Sequence, residues 1–151
     1  MIALACDHGG YDLKAAVIEV FNEFGLEYED FGTDSRESVD YPIYGERAAR
    51  AVASGRCELG VVLCGTGLGI GMAANKVKGI RRATCSDCFS ARMAREHNNA
   101  NMIAMGSRVT GSELAKEILR AFLKAEFAGM HHTKRVQMLE TLDNGGTVQP
   151  E

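Results

Sequence analysis

Several kinds of work are closed to this chain by what it lacks. There is no basic excess: 17 lysines and arginines face 20 aspartates and glutamates, a formal net charge of −3, which argues against a general nucleic-acid binder. No apolar run approaches membrane-spanning length, so no membrane role is expected. Met1 leads straight into a strand-like run, so no signal peptide is expected either. The five cysteines are odd in number and lack framework spacing, which points to reduced thiols in a cytoplasmic setting. Cys85-x-x-Cys88 is half a zinc site with no second pair at ligand spacing, and its surroundings are not thioredoxin-like, so no metal or redox role is assigned. No repeat, low-complexity segment or internal linker divides the 151 residues, which suit one domain with a sizeable core.

What is present centres on one stretch. Leu59 to Leu63 reads as a buried strand, and Ile70 to Lys76 has helical composition. Between them lie Cys64 and glycines at 65, 67, 69 and 71. Glycines at a strand-to-helix junction let the backbone approach a ligand closely, with N–H groups and the helix dipole aimed at negative charge. A thiol beside that positive end is where the thiolate form is favoured. The stretch therefore reads as an anion-binding loop with a nucleophile or base set into it. It is not a Walker loop, because Lys76 is preceded by Asn75 and followed by Val77. Gly69, Gly71, Ala74 and Asp87 meet the dinucleotide fingerprint only weakly, and Gly69 falls past the expected turn.

The rest of the chain alternates. Strands are expected at Ile2 to Cys6, Glu27 to Phe31, Arg82 to Cys85 and Asn101 to Met105. Helices are expected at Tyr11 to Phe24, stopped by Gly25, and at Tyr44 to Ser54, with Pro42 marking a possible earlier start. Ser86 or Asp87 caps a helix reaching about His97. Thr110-Gly-Ser-Glu113 reads as a capping box for a helix to about Phe127. A last amphipathic helix covers about 131–142, so the domain runs from 1 to 143, followed by a tail (144–151) expected to be disordered. Such alternation means an α/β fold: a single three-layer αβα sandwich with a Rossmann-like five-stranded parallel sheet. The ligand crevice of such folds lies at the carboxyl ends of the strands. There the chain carries Cys6-Asp7-His8, Cys64-Gly65-Thr66, Ser86-Asp87 and Gly106-Ser107-Arg108.

Each candidate also has a plainer reading. Cys64 could be a small buried residue, although its place before the glycine loop favours catalysis. Thr66 could shape the loop or touch substrate, and Asp7 and His8 could form an ordinary turn. His97, in Glu96-His97-Asn98-Asn99, could simply complement a helix C-terminus. Arg108 could be a surface charge. His131, His132, Lys134 and Arg135 gather cations at a helix start, a conflict with the dipole that an anionic partner would offset.

Taken together, these segments resemble the ribose-5-phosphate isomerase type B family, which also includes galactose-6-phosphate isomerase subunits. The resemblance rests on Cys6-Asp7-His8-Gly9-Gly10, Asp40-Tyr41-Pro42, Cys64-Gly-Thr-Gly-Leu-Gly-Ile70, Ala73-Ala-Asn-Lys76, Gly79-Ile80-Arg81, Ser90-Ala91, His97-Asn98, Asn101 and Gly106-Ser-Arg-Val109, and extends to about residue 140. It implies interconversion of an aldose and a ketose through an enediolate, without metal or organic cofactor. Cys64 would then be the base, with Thr66 assisting at the substrate hydroxyls, while His97, with Asp7, opens the sugar ring. Gly65, Thr66, Gly67, Leu68, Gly69 and Asn98 would line the enediolate, and His8, Arg108 and Arg135 would hold the phosphate. A homodimer or dimer of dimers with shared sites is also implied.

One departure bears on the substrate. Many members carry Gly-Gly-Arg-His-x-x-Arg near the C-terminus, whereas this chain has Gly129-Met130-His131-His132-Thr133-Lys134-Arg135. Histidine cannot reproduce the bidentate fork of an arginine. Either His131, protonated, acts with Lys134 in its place, or the substrate differs from the usual pentose phosphate. The first expectation is ribose 5-phosphate; a hexose 6-phosphate or an unphosphorylated aldose such as allose remains the alternative. A non-catalytic phosphate- or nucleotide-binding module is the rival from another class.

Overall fold

The computed structural model describes residues 1–150. The elements run β1 (Ile2–Cys6), α1 (Tyr11–Glu23), β2 (Tyr28–Asp30), α2 (Tyr41–Ala53), β3 (Leu59–Cys64), α3 (Leu68–Asn75), β4 (Arg82–Thr84), α4 (Cys88–Glu96), β5 (Met102–Gly106), α5 (Ser112–Lys124) and α6 (His131–Asp143). None of these helices is long and apolar enough to cross a membrane.

All strands pair in parallel, in the order β2-β1-β3-β5-β4. The chain moves outward from β1 to β2 and then crosses back to β3, so the order reverses between β1 and β3. A crevice opens at such a reversal, at the carboxyl ends of the two strands. Alternation along the strands sends side chains to opposite faces. Leu4, Leu63, Ile103 and Met105 pack with Val17, Phe21, Ile118 and Phe122, from α1 and α5. Ala3, Ala5, Val62, Cys64 and Ala104 pack instead with Ala48, Ala49, Ile70 and Ala74, from α2 and α3. Two apolar layers thus cover the sheet, and Cys64 belongs to the one built from small residues.

Several boundaries differ from expectation for local reasons. α2 starts at Tyr41, three residues early, because Pro42 suits a first turn where its missing N–H costs nothing. α3 starts at Leu68 because Gly67 has already made the turn, at φ +79°. The expected capping box does not form: Gly111 is the N-cap of α5, no side chain caps it, and Thr110 is buried. α5 also ends early, since Ala125 is extended and the chain crosses to α4, where the Ala128 N–H donates to the Glu96 carbonyl.

α6 stands apart from the two layers and buries only His132 and Val136. At its far end Asp143 Oδ2 accepts the Gly79 N–H at 2.6 Å. A cavity of about 520 Å³ lies beneath this end, between Leu139 and Leu142 of α6 and Ile80, Arg82 and Asn98 of the body. Residues 144–150 carry no helix or strand, and Gln149 and Pro150 return beside His131 and Arg135. Glu151, the end of the tail expected to be disordered, lies outside the described residues.

Candidate active site

At the reversal point the loops after β1, β3 and β5 interlock. Ser107 and Arg108 donate their backbone N–H groups to the carbonyls of Cys64 and Gly65, at 3.0 and 2.9 Å. Ser107 Oγ donates to the Gly9 carbonyl. Gly10 sits so close to the end of β3 that a Cβ there would collide with the Leu63 backbone. The arrangement is therefore fixed by backbone contacts between three loops rather than by long side chains.

Cys64 is buried at the carboxyl end of β3, and its Sγ accepts the Gly67 N–H at 3.1 Å. Gly67 reaches that position through its left-handed backbone. A Cβ on it would stand 2.9 Å from the carbonyl carbon of Met105. Burial pushes the Cys6 and Cys85 thiols up to about 11, which keeps them protonated at neutral pH, and pushes Cys57 upward as well. No disulfide links the five cysteines, and no group of three or more His, Cys, Asp or Glu is arranged for a metal among the described residues.

Around Cys64 lie the other residues of this rim. Thr66 is exposed, and its Oγ1 accepts the Leu68 N–H at 3.2 Å. Leu68 is exposed, while Gly69 lies under the ring of Tyr41. The guanidinium of Arg108 lies over Gly65. Asp7 is buried, with Oδ1 accepting the Gly10 N–H at 3.0 Å. His8 Nδ1 accepts the Val39 N–H at 3.1 Å, which leaves the ring proton on Nε2. The segment bearing Val39 is anchored further back by buried Lys14, whose Nζ donates to the Thr33 carbonyl at 2.6 Å and to Asp30 at 2.8 Å. Sequence patterns gave no sign of Val39, because only its backbone acts.

A second group forms where α4 ends and α6 begins. The His97 and His132 rings stack at 4.1 Å with an interplanar angle of 15°, and His131 meets His132 at 4.1 Å. His132 is buried, unlike the solvated cation its setting in the sequence suggests. Burial, followed by the charges of His131, His97 and Arg135, pushes its pKa down, so it stacks as a neutral ring. Its burial three residues past a left-handed glycine was not readable from helical period. His131, Lys134, Arg135 and Met138 line a cavity of about 340 Å³ with Gln149 and Pro150. Asn98 is exposed beside His97 and lines the cavity beneath α6.

The single chain thus holds two clusters: Asp7, His8, Cys64 to Gly69 and Arg108 in one, and His97, Asn98, His131 and Arg135 in the other. No hydrogen bond, ion pair or ring contact among the described residues joins them. The first can hold a base against a cradle of N–H groups, suited to proton abstraction with stabilisation of an oxyanion. The second offers imidazole and guanidinium groups, suited to acid–base work and to anion binding.

The model of the family described as Ribose/Galactose Isomerase matches residues 2–139. Ribose-5-phosphate isomerase B of Escherichia coli (strain K12) is 46% identical over 142 residues, 94% of this chain and 95% of that protein. Galactose-6-phosphate isomerase subunit LacB of Clostridium acetobutylicum is 46% identical over 127 residues, 84% of this chain and 73% of the relative. Among solved structures, ribose-5-phosphate isomerase B of Clostridium thermocellum superposes with a TM-score of 0.93 at 50% identity, covering 95% of this chain and 97% of that one. With the thiol, its glycine cradle and the parallel sheet all in place, the chain belongs to the ribose/galactose isomerase family of sugar-phosphate aldose–ketose isomerases.

Proposed function

We propose that this enzyme interconverts ribose 5-phosphate and ribulose 5-phosphate, with Cys64 as the base. The observation that carries the reading is the Gly67 N–H on Cys64 Sγ, in the glycine loop at the carboxyl end of β3. In this scheme His97 and Asp7 move the proton that opens the sugar ring. The Cys64 thiolate takes the proton from C2, and the electron pair left behind moves toward the carbonyl oxygen as the enediolate forms. The loop from Gly65 to Gly69, with Asn98, lines that oxyanion, and Thr66 orders the sugar hydroxyls. A proton passes between the two enediolate oxygens, and the Cys64 thiol returns its proton to C1. His8 contributes the Nε2–H as a neutral donor.

The separation of the two clusters supports a homodimer in which each copy brings its His97–Arg135 cluster to the rim of the other. The cationic cavity at His131 and Arg135 is where the phosphate would sit. A second reading, a hexose 6-phosphate, has a specific observation in its favour: His131 stands where many members carry an arginine, and one relative is a galactose-6-phosphate isomerase subunit.

The test is an NMR time course in D₂O with ribose 5-phosphate, ribose, allose, allose 6-phosphate and galactose 6-phosphate, alongside the Cys64→Ala variant. Ketose formed fastest from ribose 5-phosphate, with deuterium entering at the transferred position and turnover lost in the variant, is the expected result. Retained turnover in Cys64→Ala would remove the thiol as base. Faster conversion of a hexose phosphate or a free aldose would replace ribose 5-phosphate as substrate.

A further inference from the structure

Arg82, the first residue of edge strand β4, carries a charge that no ion pair answers among the described residues. Its Nε is enclosed with no hydrogen-bond partner. The guanidinium is wedged under α3 at Gly71, where a Cβ would stand 2.6 Å from Nε and 2.8 Å from Cζ. The backbone beside it is fixed as well: Arg82 N–H donates to Asn75 Oδ1 at 2.9 Å, and Asn75 Nδ2 donates to the Arg82 carbonyl at 3.3 Å. The side chain is half-buried, at the edge of the cavity beneath α6, and that burial pushes its pKa down. Partial burial of a charge with no counter-ion carries a cost. No ion pair among the described residues accounts for an arginine at this position.

A reason appears along its hydrogen bonds. Arg82 Nη1 donates to Thr84 Oγ1. A hydroxyl has one proton, and with Nη1 occupying a lone pair that proton is directed at the next acceptor. The acceptor is the Gly67 carbonyl, at 3.5 Å. That carbonyl also receives the Gly71 N–H of α3 at 3.3 Å. On its other side, Gly67 sends its own N–H to Cys64 Sγ. The residue whose amide touches the sulfur is thus held from behind by edge strand β4. The sheet register allows this: Thr84 pairs with Ala104 of β5, and Gly67 rests on the backbone of the next residue, Met105.

We propose that Arg82 and Thr84 are positioning residues for the isomerisation, holding Gly67 so that its amide stays on the Cys64 sulfur. This rests on the reading of Cys64 as the base. Arg82 orients the Thr84 hydroxyl, the hydroxyl anchors the carbonyl, and the anchored residue keeps its left-handed backbone and its N–H in line. Neither side chain need touch the sugar.

The test compares the wild-type enzyme with Arg82→Met, Thr84→Val, the double variant and Thr84→Ser. Three quantities are read: the rate of Cys64 alkylation by iodoacetamide near neutral pH, followed on the Cys64 peptide by mass spectrometry; kcat and KM with the best sugar phosphate; and Tm. Arg82→Met and Thr84→Val are each expected to slow alkylation and lower kcat by about three- to tenfold, the worth of one hydrogen bond, while KM stays within about twofold. The double variant should be no slower than the worse single one, because both act through one chain of bonds. Thr84→Ser, which keeps the hydroxyl, should restore most of the rate. Unchanged alkylation and kcat in the near-isosteric Thr84→Val, whatever its Tm, would overturn the proposal, as would effects that multiply in the double variant. A wild-type enzyme that turns over no sugar phosphate would defeat the functional reading instead, and the alkylation comparison would still decide this one.

Discussion

Replacing Gly67 by alanine strikes the point where fold and chemistry meet. Gly67 has φ +79°, and a left-handed backbone costs an L-residue roughly 1–2 kcal/mol. An added Cβ would also stand 2.9 Å from the Met105 carbonyl carbon and 3.1 Å from its Cα, backbone atoms of a central strand that cannot yield as a side chain would. Relief must come from the loop, which would lift the Gly67 amide off Cys64 Sγ. Gly25 separates the two contributions, since it has φ +63° and open space around its Cβ direction. Gly25→Ala should therefore lose only the backbone term, about 1–2 kcal/mol, with kcat unchanged. Gly67→Ala should lose about 1–3 kcal/mol more, the usual toll of overpacking. For a chain of this length that extra loss is worth roughly 2–4 °C of Tm per kcal/mol. Its kcat should fall at least about tenfold as the hydrogen bond to sulfur is lost. The assays are denaturant unfolding and the isomerase rate, on both variants together. Equal stability losses in the two, with full activity in Gly67→Ala, would refute the claim that the packing of this glycine on β5 holds the loop of the proposed base.

Two further outcomes follow from the corner at α6. His132 titrates below the ordinary value of 6.5, because burial and neighbouring charges disfavour its imidazolium. As pH falls through that value the unfolded chain takes up the proton first, so the neutral ring's contribution is full above about 6.5 and declines below it. Wild type should therefore lose stability relative to His132→Phe between about pH 7 and 5, and a pH-independent difference in denaturant midpoints would count against it. Met130, exposed at the start of α6, has φ 53° and ψ −132°, a region that favours glycine. Such strain costs about 1–3 kcal/mol, and the greater freedom of unfolded glycine returns roughly 0.5–1 kcal/mol of that. Met130→Gly should thus stabilise the enzyme by about 0.5–2 kcal/mol in urea unfolding, and a loss would mean that the side chain contributes more than its exposure suggests.

The three-layer fold was legible because its determinants are local. Ile2 to Cys6 and Gly60 to Leu63 are buried on both faces, within runs that read as apolar, and Gly25 and Gly55 end helices by taking left-handed conformations. Cys64 was legible as a candidate because strand end, thiol and glycines adjoin in sequence. What escaped was long-range. Val39 acts through its backbone on a histidine 31 positions away. Thr84 reaches Gly67 only because the chain places β4 beside β5. The expected cap at Thr110 failed because burial claimed that side chain. The split of the site residues into two clusters follows from strand order and from the crossing between α5 and α6, neither of which has a local signature.

The two faces of the sheet should tolerate change in opposite ways. On the α1/α5 side the layer is made of Phe21, Phe122, Leu4, Leu63, Ile118 and Leu119, all almost wholly enclosed. Trimming any of them leaves a void, yet the neighbours have rotamers with which to close part of it. On the α2/α3 side Ala3, Ala5, Ala48, Ala49, Ala74 and Ala104 bring the helices close to the strands. Alanine has no rotamers, so the alanine positions of this layer, unlike Ile70 and Met102 beside them, have little room to adjust. The thiol and its glycine loop rest on this second layer. The proposed base therefore rests on a layer in which alanine methyl groups predominate, and a lineage drifting by mutation can repack the far side of the sheet more freely than the side beneath Cys64.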